Sequence, residues 1–226
     1  MKERISKSLL NNALVIFTAA LLLIPASWVH AGQNEAAWDE LLTRMENRYA
    51  GADFTAEFEQ VSRLEALQMD EKASGKAFFS HPGKMKWVYT APTEHRIITD
   101  GKTLWIYRPD QRQVMTGDAD QFFKSGAGGA FLSDISLVRK KYAIEIKENE
   151  KDHVLLEFTP KVSRQEIASI TVQVMKETFT IQKVVTVNAY GDTTELVFSG
   201  IRFKNLDDGI FDFEIPDNVD VIRMDQ

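Results

Sequence analysis

Beyond the first thirty-one residues the histidines are His81, His95 and His153, and none forms the i, i+4 pair that would aim two imidazoles at one metal ion. The chain has no cysteine, so a zinc site would lack its commonest partners and no disulfide can form. Ser125-Gly126-Ala127-Gly128 is rich in glycine but has no lysine for a phosphate, and neither a Gly-x-Ser-x-Gly elbow nor a dinucleotide fingerprint occurs. Asp207-Asp208 beside Gly209 reads as solvated charge in a turn. Paired carboxylates of the glycosidase kind are set by distance in space, which spacing does not reveal, and nothing points to them. The expectation is therefore no enzyme, no metal and no cofactor. What the spacing offers instead is apolar. Met85, Trp87 and Tyr89 alternate with Lys84, Lys86 and Val88, so three large side chains share one face of a strand. Such a stripe is ordinarily core, but a sheet of many strands can enclose space its own side chains do not fill. That space would suit an apolar ligand.

The elements that must position this stripe are legible from periodicity. After Asn34, which can cap a helix, Trp38, Leu41, Leu42, Met45 and Tyr49 recur at helical spacing, which predicts a helix over 35–49 closed by Gly51. At Phe54 the period drops to two, with Phe54, Ala56 and Phe58 against Thr55, Glu57 and Glu59. Strands follow over 75–80, 84–90, 96–99, 103–108 and 113–116, with Asp100-Gly101 as a hairpin turn. In the second half Tyr142, Ile144 and Ile146, then Val154, Leu156 and Phe158, then Ile170, Val172 and Val174 repeat the alternation. Another strand spans 181–189, and Tyr190-Gly191-Asp192 turns the chain into the next. There Leu196 and Phe198 share one parity and Ile201 and Phe203 the other, so Gly200 predicts a bulge. About eleven strands joined by short turns read as an antiparallel meander closing fully or partly into a barrel.

Between Asp118 and Lys141 this rhythm breaks. Ala119 to Lys124 and the segment around Phe131-Leu132 read as two short helical pieces joined by the glycines of 126–129. An apolar segment on permissive glycines, set into a meander, is what a movable cover over an apolar face would look like. The alternative is an ordinary loop with Phe131 tucked into the core.

The first thirty-one residues have Lys2, Arg4 and Lys7, an apolar core over 13–24, Pro25, and Val29-His30-Ala31, the pattern of a cleavable export signal. Residues 32–226 then form one exported domain with no acylated cysteine of its own. The chain has 27 basic and 33 acidic residues; without Lys2, Arg4, Lys7 and Glu3 there remain 24 against 32, a net charge of −8. An acidic chain with no basic block offers little to a phosphate backbone, so nucleic acid is not the expected partner. Fourteen Phe, four Trp and five Tyr are enough for a large core.

Taken in order, Phe54-Thr55-Ala56-Glu57-Phe58-Glu59-Gln60, His81-Pro82-Gly83-Lys84-Met85-Lys86-Trp87-Val88-Tyr89 and the stretch Thr99 to Pro109 (TDGKTLWIYRP) resemble the periplasmic lipoprotein carrier family. Phe211-Asp212-Phe213-Glu214-Ile215-Pro216 looks like that family's last strand. The resemblance spans nearly all of residues 32–226. It implies a mainly β fold, a single unclosed antiparallel half-barrel of about eleven strands whose concave apolar face is covered by helices. It also implies that this face receives acyl chains, with Phe58, Met85, Trp87 and Tyr89 in the floor and Phe122, Phe123, Phe131 and Leu132 in the lid. Gly126, Gly128 and Gly129 would then be the hinge. Family members often carry an arginine just before the proline that is Pro82 here, where it latches the lid. His81 stands in its place, with fewer donors and a charge that is lost near neutral pH. Lys84 and Lys86 fall on the outer parity, facing either an acidic partner or water.

The partners implied are acylated lipoproteins, an inner-membrane ATP-driven transporter that releases them, and an outer-membrane acceptor, with the carrier itself a monomer in the periplasm. Two other readings keep the fold: a carrier of free lipid, glycolipid or pigment, and a lipoprotein-sensing stress module. Sensors of that kind usually have a second domain, for which the residues after Phe213 leave little length.

Overall fold

The computed structural model describes residues 27–125, 132, 135, 138–163 and 165–224, with backbone alone for 27–37 and 123–125. It falls into two compact units, Met1–Ala37 and Trp38–Gln226, and every strand belongs to the second. The export signal expected over 1–31 lies outside the described residues except for the backbone of 27–31. That stretch is helical, because α1 (Ser27–Tyr49) starts well before the predicted residue 35. No proline follows Pro25 before Pro82, so nothing in the sequence stops the helix from extending backward through Asn34.

The strands are β1 (Phe54–Leu64), β2 (Met69–Ser80), β3 (Lys84–Ala91), β4 (His95–Asp100), β5 (Thr103–Arg108) and β6 (Gln113–Asp118), then α2 (Ala119–Ser125) and α3 (Val138–Lys141). They continue as β7 (Tyr142–Asn149), β8 (His153–Pro160), β9 (Ser169–Met175), β10 (Ile181–Val187), β11 (Thr193–Phe203) and β12 (Asp220–Arg223). All twelve form one sheet in the order β12-β6-β5-β4-β3-β2-β1-β11-β10-β9-β8-β7, with β12 and β7 as unjoined edges. The mainly β, unclosed architecture is as expected. Two details differ: among the described residues there are twelve strands instead of about eleven, and β12 is parallel to β6.

The turn chemistry follows the sequence. Asp100 Oδ1 accepts from the backbone N–H groups of Lys102 and Thr103, and Gly101 takes φ +94°, as the β4–β5 hairpin needs. At Gly200, φ +57°, three steps along β11 oppose two along β1, from Ser199 opposite Glu57 to Arg202 opposite Thr55. This is the predicted bulge. It carries Phe203 back to the parity of Phe54.

One face of the sheet holds the core. Phe54, Ala56, Phe58, Ala77, Phe79, Met85, Trp87 and Tyr89 supply it from the first half, and Val154, Leu156, Phe158, Ile170, Val172, Val174, Val184, Leu196 and Phe198 from the second. Leu41, Met45 and Tyr49 of α1 lie buried against it, with Trp38 and Leu42 partly buried. The Tyr49 hydroxyl accepts from the Ile181 N–H at 2.8 Å, pinning the end of α1 to β10.

The family's last strand, expected over 211–216, is not a strand. Asp207 Oδ1 accepts from Gly209 N at 2.8 Å and Asp207 O from Ile210 N at 3.0 Å, which winds Asp208–Phe211 into a 3-10 turn. This segment crosses the outer face, with its turn on β3 and β4 and Phe213 against Trp105 (6.0 Å) and Tyr107 (5.6 Å). It ends as β12 beside β6. The outer face therefore also has buried apolar groups, Ile98, Val114 and Phe211.

Candidate functional site

Four of the expected floor residues come together on the covered face. Phe58 meets Trp87 edge-on at 4.8 Å and Tyr89 at 4.9 Å, and Trp87 meets Phe79 at 5.5 Å and Phe198 at 6.0 Å. The indole Nε1 donates to Met85 Sδ at 3.4 Å, so Trp87 has a partner although it is 2% exposed. The contacts of Phe58 with Trp87 and Tyr89 reach across β2, which lies between β1 and β3. They are possible because the β2 residues between these rings are Gly75 and Ala77, while Phe79 of β2 lies farther along the same face. Strands sit about 4.8 Å apart, so next-nearest strands are about 9.6 Å apart and only small residues between them let rings from both sides meet. Gly75 is the tightest point: a Cβ there would stand 2.0 Å from the Val88 carbonyl oxygen.

Phe79, Phe198 and Phe54 complete this aromatic sheet, with Phe54 stacked on Phe79 at 4.5 Å. Sequence reasoning did not assign them to the site. Phe54 and Phe79 meet through the β1–β2 pairing, whereas Phe198 lies beside Phe58 only because β1 pairs with β11, which no local pattern reports.

Of the expected cover, Phe122 packs half-buried against the core and Leu132 is buried within it, alongside Ile135 and Val138. The Phe123 side chain, Phe131, Gly126, Gly128 and Gly129 lie outside the described residues. His81 sits in the turn after β2. Its Nδ1 lies 3.1 Å from the Ala52 carbonyl, which can only accept, so that nitrogen carries the proton. Its ring stacks toward Phe54 at 6.4 Å. These partners tie His81 to the connection between α1 and β1.

A different residue bridges the covering helices. Arg139 of α3 donates from Nε to Glu46 Oε1 at 2.6 Å, from Nη2 to Thr43 Oγ1 at 3.0 Å, and from Nη1 to Asp39 Oδ1. Nothing local marks it in the sequence. Lys84 and Lys86 both find partners in the crossing segment: Lys84 Nζ pairs with Asp208 at 2.8 Å at the solvated surface and Lys86 Nζ, half-buried, donates to the Ile210 carbonyl at 3.0 Å. Burial lowers the Lys86 pKa, and Arg96 adds to that. Among the described residues no group of three or more acidic, histidine or cysteine side chains is placed to hold a metal ion.

The arrangement is an apolar, aromatic face with polar chemistry confined to its margins, which suits sequestration of hydrocarbon. The comparisons with known proteins point the same way. The family model described as outer membrane lipoprotein carrier protein LolA matches residues 52–214. The outer-membrane lipoprotein carrier protein of Nitrosomonas europaea is 30% identical over 171 residues, 75% of this chain and 82% of that protein. Its counterpart from Azotobacter vinelandii is 25% identical over 209 residues, 92% of this chain and 99% of the relative. Among solved structures, an uncharacterized conserved protein from Thermus thermophilus superposes with a TM-score of 0.55 at 14% identity, covering 83% of this chain and 99% of that one, a likeness of fold.

Proposed function

Because the chain belongs to the outer membrane lipoprotein carrier (LolA) family, we propose that it is a periplasmic carrier that takes up the acyl chains of lipoproteins released from the inner membrane and delivers them to the outer membrane. The observation that carries this reading is the continuous aromatic face of Phe58, Phe79, Met85, Trp87, Tyr89 and Phe198, roofed by α1 and by Leu132, Ile135 and Val138 instead of by a second sheet. A triacylated protein exposes on the order of 45 methylenes, worth about 36 kcal/mol at roughly 0.8 kcal/mol each. Free diffusion through water is thereby excluded, and a carrier must shield the chains. Noncovalent binding saturates near about 20 kcal/mol, so shielding has to be partial and adaptable if cargo is to leave again. A roof that lifts from an aromatic floor meets that requirement, and Met85 adds a pliable side chain within the floor. The roof hides the apolar face when no cargo is present, so loading and roof displacement are one equilibrium.

The role needs no catalytic residue. An inner-membrane transporter would supply the work of extraction, and an outer-membrane acceptor would take the cargo. The test is co-expression with a tagged lipoprotein. We expect a water-soluble pair to co-purify with the acylated form and none with the same protein lacking its acyl chains. Equal recovery of the unacylated form would reject acyl binding.

A further inference from the structure

The covered face does not stay apolar to its end. Two residues on from Phe58 along β1 is Gln60, two on from Trp87 along β3 is Tyr89 with its hydroxyl, and two before Leu196 on β11 is Thr194. Ser62 lies opposite Thr194, and Thr186 of β10 pairs with Thr194 from the other side. The side chains are linked: the Tyr89 hydroxyl donates to Gln60 Oε1 at 3.0 Å, Gln60 Nε2 donates to Ser62 Oγ at 3.0 Å, and Ser62 Oγ lies 3.5 Å from Thr194 Oγ1. Ala73, opposite Gln60 on the intervening strand, leaves the gap through which Tyr89 and Gln60 meet. A neutral polar row thus crosses β3, β1 and β11 one side-chain step from the aromatic floor, toward the end of the sheet that bears the β1–β2 connection.

We infer that this row is a subsite for the carbonyl oxygens of the ester and amide linkages that join acyl chains to their headgroup, with the hydrocarbon lying on the aromatic floor beside it; the inference rests on the acyl-carrier reading. A cargo laid with its chains over Phe58 and Trp87 brings those carbonyls to the edge of the floor, where the row is half-buried and an acceptor that loses water needs a donor in its place. The row has the matching donors. Gln60 holds a second amide N–H beyond the one given to Ser62, and the Ser62 and Thr194 hydroxyls rotate, so carbonyls can be met without dismantling the row. Neutral donors fit neutral acceptors. A charged headgroup drawn onto this edge would lose water with no counter-charge in the row to offset it, whereas a neutral carbonyl needs only a donor.

The test compares two ligands that differ only in their carbonyls, dioctanoylglycerol and the corresponding dioctyl ether, titrated calorimetrically into the full chain. We expect the ester to bind about tenfold tighter, the factor of one net hydrogen bond. Gln60→Leu and Thr194→Val should each narrow that gap to about threefold or less while ether binding stays as in the parent protein. Equal binding of ester and ether by the parent protein would overturn the subsite and leave the aromatic floor standing. Failure of both ligands to bind would overturn the floor as well. If the variants weaken both ligands alike, the row only braces the sheet and the inference fails.

Discussion

Arg139 and Glu46 are joined by a 2.6 Å hydrogen bond from Nε to Oε1, and both side chains are more than half covered. The same guanidinium reaches Thr43 and Asp39, so about two turns of α1 are held by one residue of α3. Arg139→Ala should lower stability by about 1–2 kcal/mol, less than a fully buried charged pair because water still reaches it. It should also speed uptake of a fluorescent fatty acid, since α1 is part of the roof. Stopped-flow fluorescence on the parent and variant would show it; an unchanged uptake rate would mean that the helices move together.

Gly75 is the tightest point of the first half-sheet. Gly75→Ala drives a methyl to within 2.0 Å of the Val88 carbonyl oxygen, and because that atom is backbone it has no rotamer to escape into. Strands β2 and β3 must part there. A loss of about 2–4 kcal/mol is expected, read from urea unfolding. A near-neutral variant would show that the two strands are not held in this register.

Acid and alkali should each weaken the fold through a different ring of one stacked pair. His95 lies face to face with Tyr89 at 3.9 Å. Burial lowers its pKa, partly opposed by its hydrogen bond to the Thr93 carbonyl, and Arg108 lowers it further. The unfolded chain therefore takes up this proton first, and stability falls as pH drops below about 6.5. Burial pushes the Tyr89 phenol up to about 12. Its contribution is complete below about pH 10, where a free phenol begins to ionise, and is lost between there and about 12. Melting temperatures across pH should show both slopes, the acid one flattened in His95→Gln and the alkaline one in Tyr89→Phe.

The crossing segment on the outer face is anchored chiefly by Phe211, which is buried, with Lys86 and Lys84 holding its turn. Phe211→Ala should cost about 3 kcal/mol and expose the chain between β11 and β12 to proteases. Lys84→Ala should change little, because Asp208 is 81% exposed and the pair is largely solvated. Limited proteolysis followed by mass spectrometry distinguishes the two.

Much of the first half-sheet was legible because β-strand alternation is local. Thr103–Arg108 matches its predicted bounds, and Gly200 announced its bulge by the change of parity on either side. What stayed hidden depended on partners far along the chain. Lys86 and Ile210 are 124 positions apart, and Arg139 and Glu46 are 93 apart, so spacing gave no hint of either. The β12 strand is four exposed residues with no alternation, held by β6 alone. Phe211-Asp212-Phe213 alternates like a strand, yet its two rings serve a segment that crosses strands instead of joining them. The polar row was concealed differently: Gln60, Ser62 and Thr194 are ordinary strand residues until β1 and β11 are set side by side.

That pairing has a consequence for how the molecule is built. Strand β1 lies in the middle of the sheet, but its neighbour β11 is made only after nine intervening strands, whereas most other pairs are hairpins between successive strands. The two meanders can therefore assemble from nearby contacts, and the seam between them, like the β12–β6 pair, closes a long loop. Until that seam closes, β1 exposes an unpaired flank, making it the stretch where a newly made chain is most open to wrong partners.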